Sequence, residues 1–167
     1  QVKKLADAIL FNEPHNHQLM FEASRLIARL AAKKEQILSI TLDLIDKACN
    51  LSPSTSEYFT ERGHQLMLNN QLLEACDLFH QAVSKNDTDV KALYGIIHCR
   101  ILEGQLDDAE EQLEFLNEIQ AMSAKSAELA YLGCLIDWRK RGDAEGSLAK
   151  LNEALTLHIT TFKQASG

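Results

Sequence analysis

Apolar residues recur three and four positions apart along most of the chain, which is the spacing of one face of an α-helix. The stretch from His17 to Lys33 is a clear example. Its apolar positions are Leu19, Met20, Ala23, Leu26, Ile27 and Leu30. The 167 residues include only two prolines and seven glycines, so few positions interrupt a helix. The pattern predicts an all-α fold.

A longer pattern of small and large apolar residues, 34 residues in length, lies on top of this helical spacing. Its clearest copy, Ser56 to Asp89, has six marked positions: Phe59, Gly63, Leu66, Ala75, Phe79 and Ala82. A tetratricopeptide repeat has aromatic, glycine, large apolar and alanine residues at these positions. Small residues let two antiparallel helices cross closely. Because such a unit buries its apolar face only by stacking on others, we expect a right-handed superhelical solenoid of helix pairs.

Four repeats and part of a fifth follow from this pattern. They are predicted at 22–55, 56–89, 90–123 and 128–161, with 1–16 as the end of a truncated preceding repeat. The extra residues around Ala121 to Ala127 lengthen the link before the last repeat. No long linker or low-complexity segment interrupts the pattern, so residues 1–167 are interpreted as a single repeat array.

Two later repeats depart from the pattern. Ile97 and Leu135 stand where glycine is expected, and the nearest glycines, Gly95 and Gly133, come two residues earlier. We expect the closest contact between the paired helices to shift or loosen there. Gly104 is expected to adopt the left-handed backbone conformation that ends the first helix of its repeat.

Charged residues follow predicted helix surfaces. The segment from Asp107 to Glu118 is interpreted as a solvated acidic face, with a docking patch for a basic partner as the alternative. Arg139, Lys140 and Arg141 end a predicted helix, where positive charge complements the negative helix terminus or meets an acidic neighbour. Neither segment has the arrangement of a catalytic site.

The overall charge argues against nucleic acids and anionic membranes as partners. The formal net charge is −7, whereas binding to nucleic acid or to an anionic membrane surface needs clustered positive charge. No run of 18 apolar residues is present, so no membrane-spanning helix is predicted. The chain begins at Gln1, without an initiator methionine or a signal peptide, and we expect an internal piece of a longer cytoplasmic protein.

The candidate chemistry is sparse. The four cysteines, Cys49, Cys76, Cys99 and Cys134, are widely spaced and lie in apolar helical patterns. We expect reduced, buried thiols rather than disulfides or a zinc site. No nucleophile beside a base and no convergent pair of carboxylates is recognisable. The sequence therefore predicts no enzymatic activity, no cofactor and no small-molecule substrate.

Particular segments carry a more specific resemblance than the repeat length. The stretch 95–120, GIIHCRILEGQLDDAEEQLEFLNEIQ, resembles the tetratricopeptide repeat protein 21 family, as do FEASRLIARL at 21–30 and EACDLF at 74–79. The resemblance covers about Phe11 to Ile159. That family supplies the long repeat subunit of intraflagellar transport complex A.

The resemblance implies a role as well as a fold. Family members are long helical scaffolds in the complex that, with dynein, returns cargo from the ciliary tip and helps membrane receptors to enter the cilium. It implies other protein subunits of a large complex as partners, and a location in the cytoplasm, the cilium with its axoneme, and the basal body. No enzymatic activity is attributed to the family, and it has no short site motif to transfer to this chain.

In a repeat solenoid the first helix of each pair lines the concave groove. The groove positions are Glu57, Thr60, His64, Met67 and Leu68, then Lys91, Tyr94, His98, Ile101 and Leu102, then Leu129, Leu132, Ile136, Arg139 and Lys140. Two interpretations stay open. The groove binds a partner helix or peptide, or neighbouring helices of the same polypeptide fill it.

Three narrower hypotheses concern single positions. Co-chaperone repeats bind a C-terminal carboxylate with Lys, Asn and Arg in the groove, and here only Lys91 is of the right type, so a peptide receptor of that class is the alternative function. His64 and His98 share a repeat position that could bind a metal or sense pH, although no third ligand is evident. Trp138 is interpreted as core filling, with an interface hot spot as the alternative.

Overall fold

The computed structural model of the chain describes residues 1–31, 33–119 and 127–166, with side chains at all of these except 154 and 157–166. Every regular element in those ranges is an α-helix, which confirms the predicted all-α class. The helices are α1 (Val2–Asn12), α2 (His17–Leu30), α3 (Glu35–Leu51), α4 (Ser56–Leu68), α5 (Leu72–Lys85), α6 (Val90–Leu102), α7 (Leu106–Ile119), α8 (Ala127–Arg141) and α9 (Ala144–Ser166). No described helix is both long and apolar enough to cross a membrane.

Turns with one residue in a left-handed conformation follow the first helix of each pair. These residues are Lys33 (φ 64°), Asn70 (φ 63°), Gly104 (φ 83°) and Gly142 (φ 64°). The conformation predicted for Gly104 is therefore confirmed. Glycine adopts it without the clash between Cβ and backbone that other residues meet.

Two compact units make up the chain, Gln1–Gly95 and Ile96–Gly167. Helices α4 and α5 fall within the predicted repeat 56–89, whereas α2 begins at His17, ahead of the predicted start at residue 22. The repeat boundaries and the single array stay predictions. Residues 120–126, which hold most of the predicted insertion at Ala121 to Ala127, lie outside the described residues.

The first unit is built from helix hairpins around a largely apolar core. Its α2 packs on α3, α3 on α4 and α4 on α5, while α1 packs on α3. Met20, Leu44, Ile45 and Phe79 are fully buried. These side chains come from three different helices, α2, α3 and α5, so the apolar stripes predicted along the sequence meet in one core.

The second unit packs α8 on both α7 and α9. Its core includes Leu113 and Leu116 of α7 with Leu129, Leu132 and Ile136 of α8, all buried. A Cβ added at Gly133 would lie 3.6 Å from Leu113 Cδ2, an ordinary contact. Leu113 lies on α7 rather than on α9, the helix paired with α8, so the looser contact expected between paired helices stays a prediction.

Candidate interaction surface

The predicted groove positions on α4 differ in accessibility. Glu57 and Leu68 are exposed, and His64 and Met67 are half-buried. Thr60 is only 3% exposed. The accessible part of this set is therefore an acidic residue at one end of α4 and an apolar residue at the other.

Thr60 is occupied in joining two helices. Its hydroxyl lies 2.8 Å from Asp89 Oδ2 and 3.1 Å from the Ser56 carbonyl oxygen, and can donate to either. The other oxygen of Asp89, Oδ1, accepts from the Ala92 amide at 3.1 Å in the first turn of α6. Thr60 thus connects α4 to the residue that caps α6, and its hydroxyl is not presented to a partner.

Three further groove positions of the first unit, His64, Lys91 and Tyr94, lie near aromatic or charged side chains. The His64 ring meets Phe79 edge-on, with ring centroids 5.1 Å apart. Lys91 is exposed and Tyr94 is half-buried, both on α6. Lys91 lies near enough to Glu61 to lower the pKa of its carboxyl, against the larger effect of burial. Lys91 is thus the accessible cation of α6 in this unit.

In the second unit the predicted groove residues contact one another. His98 is half-buried and meets Tyr131 edge-on at 6.3 Å between ring centroids. Burial lowers the pKa of His98, and the nearby Arg139 guanidinium lowers it further. Arg139 Nη1 donates to the carbonyl oxygen of Ile101 at 3.2 Å, and the Ile101 side chain is fully buried.

Lys140 is exposed and belongs to a network of ion pairs. Its Nζ lies 2.5 Å from Asp107 Oδ1 and 2.6 Å from Glu110 Oε2. Arg141 joins the network through Glu110 at 2.6 Å and Asp137 at 2.7 Å. These hydrogen bonds raise the pKa of Lys140 and lower that of Glu110. The basic end of α8 therefore meets an acidic neighbour, the first turn and a half of α7.

A buried polar cluster in the first unit was missed by sequence reasoning. Gln65 Nε2 donates to Ser24 Oγ at 2.8 Å and to Glu61 Oε1 at 3.1 Å, and Ser24 Oγ donates to the Thr41 carbonyl oxygen at 2.6 Å. Gln65 is fully buried, and its Oε1 has no hydrogen-bond partner among the described residues. The cluster ties α2, α3 and α4 together.

Two features of this cluster bear on its chemistry. Burial raises the pKa of the Glu61 carboxyl, although the Gln65 hydrogen bond and nearby cations lower it. Ser24 lies four residues from both Met20 and Ala28, and all three are buried. That spacing was the one available signal, because it puts a hydroxyl on the core side of α2.

The interpretation of Trp138 as core filling is wrong. Trp138 is 57% exposed. Helices α8 and α9 carry five exposed large apolar residues, which we call the end face of α8–α9: Tyr131, Trp138, Leu148, Leu151 and Leu155. Helix α8 packs on α7 and α9, and His98 and Ile101 of α6 also contact it, but these contacts leave Trp138 exposed.

The remaining candidate groups are the four thiols and possible metal ligands. Cys49, Cys99 and Cys134 are buried thiols outside any disulfide, as predicted, whereas Cys76 is only half-buried. Burial raises the pKa of the Cys49 thiol to about 11. Within 1–31, 33–119 and 127–166, no group of three or more His, Cys, Asp or Glu side chains is placed to hold a metal ion.

Solved structures share this fold. MamA superposes with a TM-score of 0.67 at 15% identity, covering 96% of this chain and 89% of MamA. YrrB, described as a TPR protein with an unusual peptide-binding site, gives a TM-score of 0.62 at 18% identity, covering 99% of this chain and 82% of YrrB. At such identities the likeness shows the fold alone, and it confirms the predicted class, a repeat solenoid.

Sequence comparison identifies the family. The family model described as "Tetratricopeptide repeat protein 21 second ARM domain" matches residues 1–166. Tetratricopeptide repeat protein 21B of Homo sapiens is 36% identical over 163 residues, which are 98% of this chain and 12% of that relative. The chain therefore spans a small part of the relative's length. These comparisons support a repeat scaffold for protein interaction, and the chain belongs to the tetratricopeptide repeat protein 21 family.

Proposed function

We propose that this chain is a segment of a non-enzymatic scaffold subunit of intraflagellar transport complex A. The observation that carries the proposal is the family match across residues 1–166. In this role the segment binds other protein subunits during retrograde ciliary transport and ciliary receptor trafficking. Its proposed locations are the cytoplasm, the cilium with its axoneme, and the basal body.

The geometry supports a scaffold because its polar groups are used to fix helices rather than to act on a substrate. The Thr60–Asp89 contact joins α4 to α6. Within the second unit, Lys140 joins α8 to α7. A surface held in this way is suited to binding another folded protein with little loss of conformational entropy.

In each unit the proposed contact surface includes groove residues that are exposed or half-buried. In the first unit these are Glu57, His64, Met67, Lys91 and Tyr94, and in the second they are His98, Arg139 and Lys140. Thr60 and Ile101 each support the surface of their own unit from within, since both are buried. The set of the first unit holds both an acidic and a basic residue, which favours a partner surface with both kinds of charge.

A peptide-binding module of the co-chaperone type in another assembly is the second candidate. The likeness to YrrB, a TPR protein described as having an unusual peptide-binding site, favours it. Among the groove positions on α4 and α6, Lys91 alone is of the residue types that bind a chaperone-tail carboxylate. A synthetic acidic chaperone-tail peptide, titrated against the chain by fluorescence anisotropy, separates the candidates, because only the second predicts binding.

The main test uses the full-length family protein that carries this segment, expressed in ciliated cells that lack it. The paired charge reversals Glu57→Lys and Lys91→Glu should reduce recovery of partner subunits on affinity purification and cause retrograde cargo to accumulate at ciliary tips. Asp77→Lys on α5 is the matched control for a surface charge reversal. Full recovery of every subunit and normal cargo return, even after removal of the whole segment, would refute the proposal.

A further inference from the structure

One side of α7 faces solvent with apolar residues between carboxylates. Asp108, Glu111, Phe115, Glu118 and Ile119 are all exposed, and their positions place them on a single face of the helix. Phe115 is 61% exposed and Ile119 is 59% exposed. We call these five residues the outer face of α7. A large aromatic and a branched aliphatic side chain side by side in water form an interaction surface when charged residues surround them.

The charges of this face are not balanced within the described residues. Helix α7 has no Lys or Arg. Its carboxylates Asp107 and Glu110 are paired with α8, but Asp108, Glu111 and Glu118 make no ion pair with any residue of 1–31, 33–119 or 127–166. The outer face therefore keeps a local negative potential that a basic partner would neutralise.

Helix α5 provides an internal comparison. The buried residues of α7, Ala109, Leu113 and Leu116, stand 34 residues after Ala75, Phe79 and Ala82, which are buried in α5. At the same displacement the outer face of α7 corresponds to Glu74, Asp77, Gln81, Ser84 and Lys85, all exposed.

Helices α5 and α7 differ at exposed positions that do not contribute to the core. Gln81 and Lys85 stand where α7 has Phe115 and Ile119, so a helix at this repeat position packs its core with polar residues at these two sites. Phe115 and Ile119 are therefore not explained by folding. Exposed apolar side chains lower the solubility of the chain, and a partner that covers them removes this effect.

We propose that the outer face of α7 binds a basic amphipathic helix of another protein. Apolar residues of that helix cover Phe115 and Ile119, and its lysines or arginines pair with Asp108, Glu111 and Glu118. A second copy of this chain is a poor occupant because two such faces would oppose carboxylate to carboxylate. The inference does not depend on the proposed place in a ciliary complex, since none of these residues belongs to the groove set.

The test uses a synthetic fluorescein-labelled peptide of 14 residues, the length of α7, with leucines on one side of a helix and lysines on the other. Fluorescence anisotropy should show binding that weakens with added salt. Glu111→Lys should weaken binding about tenfold or more. Its matched control is Asp77→Lys, which makes the same charge change at the corresponding site of α5.

A second variant tests the apolar part without changing charge. The double substitution Phe115→Gln with Ile119→Gln should also weaken binding about tenfold, while circular dichroism shows an unchanged helix content. Equal weakening by Asp77→Lys would mean attraction to net charge alone and would overturn the proposal. The proposal would also be overturned if a second peptide, with glutamates in place of the lysines, bound with the same affinity. Loss of self-association in the double variant would assign the face to a second copy instead.

Discussion

Gly63 of α4 leaves room for the ring of Phe79 in α5. A Cβ added at Gly63 would lie 2.6 Å from Phe79 Cε1, and one added at Gly95 would lie 2.7 Å from Cε2. Phe79 itself is fully buried. The ring therefore occupies space that two glycines leave open. One of them, Gly63, is the position at which the sequence predicts a close helix crossing.

Adding one methyl group at Gly63 should destabilise the chain. Gly63→Ala forces the buried ring to move, at a cost of about 1–3 kcal/mol that exceeds the gain in helix propensity. Gly133→Ala is the matched change in α8, where the nearest atom would be 3.6 Å away, and it should be neutral or raise stability by up to about 1 kcal/mol. Urea unfolding followed by circular dichroism measures both. Equal stability of the two variants would contradict the packing argument.

The buried Glu61 should make stability depend on pH in an unusual direction. Because burial raises the pKa of its carboxyl above 4.5, the folded chain holds that proton more tightly than the unfolded chain. The protonated group therefore favours folding, and this contribution is lost as pH rises through the folded pKa.

Glu61→Gln should accordingly raise the free energy of unfolding relative to the natural sequence at about pH 7, and the difference should shrink at about pH 4. Glu57→Gln, an exposed carboxylate one turn earlier, is the control. Urea midpoints at both pH values give the answer. A lower midpoint for Glu61→Gln at neutral pH would show that the cations around Glu61 outweigh its burial.

Glu110 should show the opposite sign. Hydrogen bonds from Lys140 and Arg141 lower the pKa of its carboxyl, so its contribution to stability is present above 4.5 and is lost as pH falls through the folded pKa. Glu110→Gln should lower the melting temperature slightly near neutral pH, less so in high salt, and not at strongly acidic pH. Its neighbour Glu111→Gln should have no such effect. Melting curves are measured across pH and salt concentration. If Glu110→Gln and the natural sequence melted alike under all conditions, the ion pairs of Glu110 would contribute nothing to stability.

The end face of α8–α9 should drive self-association of the chain as it stands. Trp138→Ser removes the largest exposed apolar side chain of that face and should shift sedimentation toward monomer at high concentration. Stability should change by only about 0.5 kcal/mol, because the indole is mostly in water. Leu73→Ser, at a residue of α5 that is 77% exposed, is the control. A natural chain that stayed monomeric at every concentration would remove the basis of this prediction.

The helices and their crossings could be predicted from sequence because they depend on local spacing. Gly63 and Gly104 are examples, since a repeat position determines how near a neighbouring backbone lies. Exposure of Trp138 could not be predicted in this way, because its burial depends on whether another helix covers the hairpin. Thr60 was expected in the groove, but its hydroxyl contacts Asp89, which lies 29 residues later. Such pairings depend on how the helices stack rather than on where a residue falls in its own repeat.

The unequal burial of the four thiols has a practical consequence. A maleimide dye attacks through the thiolate, and Cys49, with its pKa near 11, remains almost wholly protonated at neutral pH. Cys99 and Cys134 are buried as well, which leaves the half-buried Cys76 as the thiol that alkylation reaches first. Brief labelling would therefore attach a single fluorophore to α5 without any engineered cysteine.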